Sequence, residues 1–280
     1  MNSRGLLILV ALTYFVAGPI AVRAQESVAP APVTDSQETA PATDSQETAQ
    51  PAVKSPWSFG LTSYVWFAGL SGDVGVGGLP PVEVDASFSD IFDHIDWWPP
   101  PIMLAGEVRY DRFAFLTDFI RLGLQADGAS SGPLPVTADV DMSTIIWTFA
   151  GSYRAFQNDT VTLDLLSGGR LWNLNADMTL TGPLGGRQAS GSITLVDPII
   201  GIAGKVNLGS GFALRAEGDV GGFGAAADLD WQAFGALQYE VNDLMALQAG
   251  YRYLAVDYRD DGFVFDAAMS GPIIGATFRF

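Results

Sequence analysis

His94 is the only histidine of the chain, and Asp90, Asp93 and Asp96 surround it. That spacing suits two kinds of chemistry: an imidazole acting as general base beside a carboxylate, or a mixed nitrogen and oxygen metal site. Neither has further support in the sequence. No cysteine is present to add a thiolate, and no Gly-x-Ser-x-Gly segment offers a nucleophile. A single loop histidine among acids reads as a solvated polar group. No catalytic residue, metal or cofactor is therefore predicted.

A larger set of residues offers the other chemistry that charge can do. Glu107, Arg109, Asp118, Asp164, Arg170, Asp197, Lys205, Arg215, Glu217, Asp219, Glu240 and Arg252 stand at positions that alternate with apolar ones. On a strand, residues two apart share a face at a spacing of about 6.5–7 Å, so Glu107/Arg109 and Arg215/Glu217/Asp219 fall within reach of pairing. Seven acids and five bases on one face predict a network that largely neutralises itself, because charge removed from water is tolerated when paired. The small acid excess predicts a weak preference for cations along that face.

The elements that must hold these residues are strands. Trp57, Phe59, Leu61, Val65 and Phe67 alternate with small or polar residues. The same period of two marks Ile145, Trp147, Phe149 and Tyr153, then Met245, Leu247, Tyr251 and Tyr253, and finally Ile274, Ala276, Phe278 and Phe280. Strands are predicted near 57–70, 101–111, 113–126, 139–156, 160–178, 191–208, 212–226, 230–241, 244–259 and 263–280. Their connections are short at 111–112, 157–159, 209–211 and 242–243, and long at 71–100, 127–138 and 179–190. Hydrophobic residues make up 48% of the chain and charged ones only 16%, yet no apolar run past the N-terminus reaches the ~20 residues of a spanning helix. Together these features predict an all-β, antiparallel, up-and-down transmembrane barrel of about ten strands. Eight or twelve also fit, because Gly218–Gly224 and 71–100 blur the count.

The N-terminus fits export. Arg4, the apolar stretch from Gly5 to Val16 and the small residues at Val22-Arg23-Ala24 read as a signal peptide over 1–24. Residues 25–56 contain a nine-residue duplication, 32–40 and 41–49, rich in Pro, Ala, Thr and acids, and read as a disordered periplasmic linker. The barrel proper is 57–280. A net charge of −17 excludes a nucleic-acid partner. An even strand number puts the linker and the C-terminus on the periplasmic side of a bacterial outer membrane.

Gly275, Phe278 and Phe280 stand in the order Gly-x-x-aromatic-x-aromatic at the C-terminus. This resembles the assembly signal of outer-membrane barrels, which implies the barrel assembly machinery as a partner, beside membrane lipid and lipopolysaccharide. Ile273 departs from the polar residue that usually opens that motif. The segments Trp57–Trp66, Val84–Phe92, Gly250–Tyr253 and Ser270–Pro272 resemble a group of uncharacterised, porin-like proteobacterial outer-membrane barrel proteins. The resemblance implies a fold and a location and carries no activity.

Within 71–100, Ser87 or Ser89 can cap a short helix over 89–95 that places Ile91, Phe92 and Ile95 on one side. With His94, Trp97 and Trp98 this segment is expected to plug or cap the barrel mouth, or to rest on the membrane surface. Ten strands lie close to the limit at which side chains fill a barrel, so an open general porin is not expected. The leading expectation is a non-enzymatic barrel with a structural role or limited passage of small solutes. A surface-binding or adhesion protein acting through its long loops is the alternative. A rim hydrolase centred on His94 is the third.

Overall fold

A computed structural model describes residues 55–75, 82–96, 98, 100–129, 137–182, 185–260 and 263–280. The expected signal peptide, nearly all of the linker and Trp97 lie outside the described residues. The elements are β1 (Trp57–Trp66), β2 (Gly69–Gly75), β3 (Val82–Ala86), α1 (Phe88–Asp93), β4 (Ile102–Tyr110), β5 (Phe113–Ala129), β6 (Thr137–Gln157), β7 (Val161–Gly182), β8 (Gly185–Gly209), β9 (Phe212–Gly222), β10 (Leu229–Glu240), β11 (Met245–Asp260) and β12 (Phe263–Arg279).

Every pairing is antiparallel, each strand from β4 to β12 pairs with its neighbour in sequence, and β1 pairs with both β4 and β12. The sheet is therefore a closed barrel. β1 and β2 follow one another along β12, with Trp66 opposite Ile273 and Gly69 opposite Ser270. They form one barrel strand broken at Phe67-Ala68. β3 pairs with β2 in the slot that β4 holds beside β1. Twelve segments thus make ten barrel strands. The break has a visible cause: Phe67 N donates to Pro272 O at 2.9 Å, and a Cβ on Gly271 would stand 2.0 Å from the Phe67 carbonyl oxygen. Only glycine permits that approach.

The chain reverses tightly at one end of the barrel. Asp111, Ser210 and Gly211 have φ of 50°, 53° and 82°, the left-handed region that two-residue hairpins require. Trp57 and Phe280 lie at this same end, where Phe280 N donates to Phe59 O at 3.0 Å.

The outward face is apolar over about ten residues of each strand, close to what a tilted strand needs to cross a bilayer. On β6 the band runs from Tyr153 to Ile145, on β8 from Val206 to Val196, and on β11 from Met245 to Ala255, after which Ser143, Thr194 and Asp257 take over. Strand register aligns this boundary, since Ile145 faces Asn173 and Asn173 faces Thr194. At the short-turn end, aromatic pairs ring the band: Trp57 with Tyr110 and Phe212 with Tyr239, both 4.8 Å between centroids, and Phe113 with Tyr153 at 5.3 Å. Lipid contact explains why such large side chains stay exposed.

Three expected loops are shorter than the sequence suggests. β7 runs on to Gly182 and β8 starts at Gly185, and these two glycines pair, so most of 179–190 is strand rather than loop. β5 and β6 extend to Ala129 and from Thr137 into 127–138. Segment 71–100 holds the β2–β3 hairpin and α1. Helix α1 starts at Phe88, behind an N-cap Ser87 whose capping box with Asp90 is complete.

Candidate functional site: the barrel lumen

Alternation turns every second residue inward, and all twelve charged residues singled out in the sequence share that inward parity. Their surroundings divide the lumen into two levels.

The upper level is apolar. Trp66, Ile120, Ile146, Trp172, Leu174, Leu195, Leu254, Val256, Phe265 and Ile273 form one buried cluster, and Trp172 and Leu254 are wholly inaccessible. Trp172 and Phe265 meet edge to face, 6.1 Å between centroids. Ala227, from the turn between β9 and β10, is wholly buried in the same cluster. The turn is held there by Asp197, whose Oδ1 accepts from Ala227 N at 2.8 Å.

The expected plug is not what fills this level. Among the described residues, 87–101 contribute nothing to the buried cluster. Helix α1 has no buried residue; Phe88 packs on Phe67 at 4.8 Å and on Phe92 at 5.6 Å. Ile91 is half-buried, and Ile95 pairs with Leu124 of β5, beyond the end of β4. Trp98 is 83% exposed. His94 is exposed, with Nδ1 2.6 Å from the Asp90 carbonyl oxygen. Asp90 spends its carboxylate on Ser87, receiving the backbone N at 2.9 Å and the hydroxyl at 2.6 Å, which holds its pKa below the usual range. Among the described residues, no three His, Asp or Glu side chains are grouped to hold a metal ion.

Beneath the apolar layer lies a polar one. Arg170, wholly buried, donates through Nη2 to both Asp219 oxygens at 2.9 Å, through Nη1 to Asp230 at 2.5 Å and through Nε to Thr148 at 3.0 Å. Trp172 Nε1 donates to the other Asp230 oxygen at 2.9 Å, tying the layers together. Arg252 donates to Asp118 at 2.7 Å and to the Tyr64 hydroxyl at 3.2 Å, while that hydroxyl donates to Asp118 at 2.5 Å. The Arg252 guanidinium also sits 5.0 Å from the Trp66 ring centre, within cation–π range.

Nearer the short turns, Arg109 donates to Glu107 and to Asp164, each at 2.7 Å, and Arg154 donates to Asp164 at 2.9 and 3.2 Å. Glu240 accepts from Lys205 at 3.1 Å and from Arg279. A cavity of about 660 Å³ occupies this lower lumen, bounded by Tyr64, Arg109, Asp164, Lys205, Arg215 and Arg252 and reaching Ser58, Asn158 and Asn207 by the short turns.

Some expected pairings are made and others are not. Glu107 and Arg109 do pair. Arg215, Glu217 and Asp219 do not form a chain: Asp219 serves Arg170, and among the described residues Glu217 accepts only from Gln232 at 3.3 Å and Arg215 makes no hydrogen bond or ion pair. Asp197 stands opposite Arg170 in register but binds the 223–228 turn instead. Three charged participants escaped the sequence-derived set. Arg154 shares parity with Ser152 and was legible, although a bulge follows it between Arg154 and Phe156. Asp230 lies beside the strand start, and Arg279 is penultimate in the chain. With them, the acid excess behind the expected cation preference shrinks to one.

No protein-family model matches the sequence, and no curated protein is similar to it in sequence. Solved structures match the fold. Similar to it are the outer membrane protease OmpT from Escherichia coli (TM-score 0.50, 11% identity, 83% of this chain and 99% of that one) and the translocator domain of autotransporter NalP from Neisseria meningitidis (TM-score 0.46, 13% identity, 80% and 88%). The attachment invasion locus protein Ail of Yersinia pestis matches at TM-score 0.31 and 15% identity, over 81% and 99%. At such identities the likeness is one of architecture. This chain has the fold of a bacterial outer-membrane β-barrel.

Proposed function

We propose that the protein is a non-enzymatic outer-membrane barrel with a structural role, closed to solutes in its resting form. The observation that carries this reading is the buried apolar layer of Trp66, Ile146, Trp172, Leu195, Leu254 and Phe265 across the lumen. A hydrophobic constriction excludes ions by keeping water out, and the Arg170 network directly beneath it is buried as well. Passage of any small solute would require this layer to part. The external apolar band and its aromatic ring support residence in lipid, with the short turns and both termini of the barrel segment facing the periplasm. Gly275, Phe278 and Phe280 are proposed as the signal read by the assembly machinery; Phe278 and Phe280 point to the lipid side, and Thr277 and Arg279 to the lumen. The test is conductance in planar bilayers. Purified wild-type barrel is expected to give no resolvable steps, and sustained steps at low voltage would end the proposal.

A second reading has one observation behind it. The paired strands β5 to β8 overshoot the apolar band, with Asp141, Asn173, Asn175 and Ser192 on their outer surface. A projecting rim of this kind suits contact with another surface. Trimming the β7–β8 hairpin at 175–192 should then abolish cell-surface binding while leaving assembly intact.

A further inference from the structure

We propose that the lower lumen holds an oxyanion-binding site, built on Arg215 and Lys205 and reached from the short-turn end. It takes a phosphate or carboxylate group of a small solute. The inference goes beyond a closed barrel, because a lumen sealed above is still a cup from below.

The argument begins with register. Lys205 on β8 and Arg215 on β9 are direct cross-strand partners with both side chains inward. Like charges placed directly opposite destabilise a sheet, so the pair needs a compensating anion. Lys205 is 3.1 Å from Glu240, but Glu240 is shared with Arg279. Arg215 has no such partner among the described residues. Glu217, two residues on, acts on it electrostatically, yet that carboxylate hydrogen-bonds Gln232 rather than the guanidinium. Among the other described lumen residues the guanidinia are used: Arg109, Arg154, Arg170, Arg252 and Arg279 all bond carboxylates. Arg215 alone among these lumen guanidinia keeps its donor fork unspent.

Charge is also sorted along the axis. The deep level has Arg170 against Asp197, Asp219 and Asp230. The mouth has Arg109, Arg154, Lys205, Arg215 and Arg279 against Glu107, Asp164, Glu217 and Glu240. An entering anion is therefore attracted at the mouth and repelled from the depth, which fixes where it stops. The cavity of about 660 Å³ that Lys205, Arg215 and Arg279 line has room for it. Arginine presents a planar fork that matches two oxygens of one oxyanion, and the adjacent lysine adds a point charge. Gln248 and Thr62 line the same cavity and offer neutral hydrogen bonds to the rest of the solute.

The experiment is calorimetric titration of the purified full-length barrel in micelles with inorganic phosphate and, separately, succinate. Saturable binding of at least one is expected, and the tighter of the two identifies the group the site prefers. Arg215→Gln should weaken binding at least about tenfold, equivalent to about 1.4 kcal/mol, while Arg215→Lys retains most of it. Arg259→Gln, on the outer surface, should leave it within about twofold, since a remote exposed charge is screened. Heat-modifiable electrophoretic mobility reports folding, and Lys205→Gln is read in place of any Arg215 variant that fails to fold. Absence of saturable binding to either anion, or equal losses for Arg215→Gln and Arg259→Gln, overturns the site. Bilayer silence of the wild type is measured separately, so this site and the closed-barrel reading can fail independently.

Discussion

Arg170 shows how much rests on single side chains. Its guanidinium is wholly buried, and four of its hydrogen bonds reach Asp219, Asp230 and Thr148. Removing it leaves two carboxylates in a buried section of the barrel without their cation. Breaking a buried pair from one side typically costs about 3–5 kcal/mol. Arg170→Ala should lower the unfolding free energy by that measure and the urea midpoint with it, whereas Arg154→Ala, at the more exposed end, should cost markedly less. Equal midpoints for the two variants would contradict the layered lumen. The inward parity of Arg170 was legible from alternation alone. Its partners were not, because parity gives the face and leaves the rotation of the side chain open. Asp197 is the instructive case: register sets it opposite Arg170, but the amide of Ala227 in an inward-folded turn takes its oxygen. A turn that enters the lumen leaves no periodic trace in the sequence.

At the level of elements, the strands inside the membrane were readable and their extensions were not. Within the band, outward Leu, Ile and aromatic residues contrast with inward polar ones, and the period of two is plain. Beyond Ile145, Leu171 and Val196 the outward residues become Ser, Asn, Asp and Thr while Leu174, Leu195 and Ile193 remain inside. Polar, Gly-rich strand segments such as 185–192 read as loop although their backbones stay paired. Helix α1 was legible through Ser87 and Asp90, and its cap gives it a pH dependence. Hydrogen bonds from Ser87 hold the Asp90 pKa below its ordinary value. A depressed pKa stabilises the folded form above the ordinary carboxylate range, and that contribution is lost as pH falls through the lowered value. Carbon chemical shifts of residues 88–93 should therefore move toward coil on acidification, and Ser87→Ala, which removes the hydroxyl and leaves the backbone donor, should weaken the dependence. The strand break makes a separate prediction. Gly271→Ala drives a methyl into the Phe67 carbonyl, an overpacking that typically costs about 1–3 kcal/mol. Gly235→Ala, whose added Cβ would meet nothing closer than 4.0 Å, should be almost silent in the same denaturation assay.

For the whole molecule, the outer surface and the lumen are two solutions to one constraint. A ten-stranded wall in lipid must be apolar outside, which leaves the inside to carry the charged residues of those strands. The charges pair in the lower half, and the upper half excludes them in favour of aromatic and aliphatic packing. Which half provides the seal can be tested directly. Trp172 and Phe265 lie against one another, and Trp172 also donates to Asp230. Trp172→Ala with Phe265→Ala would remove both rings, each truncation costing about 3–5 kcal/mol by itself, and would let water reach the Arg170 level from above. If the apolar layer is the barrier, the double variant, still folded by electrophoretic mobility, should show discrete conductance steps where the wild type shows none. If the polar network is the barrier, the double variant stays silent and Arg170→Ala conducts instead. The first outcome is expected, because the ion pairs, once water reaches them from above, can part transiently for an ion, whereas a hydrophobic constriction presents a dewetting barrier that water must first overcome.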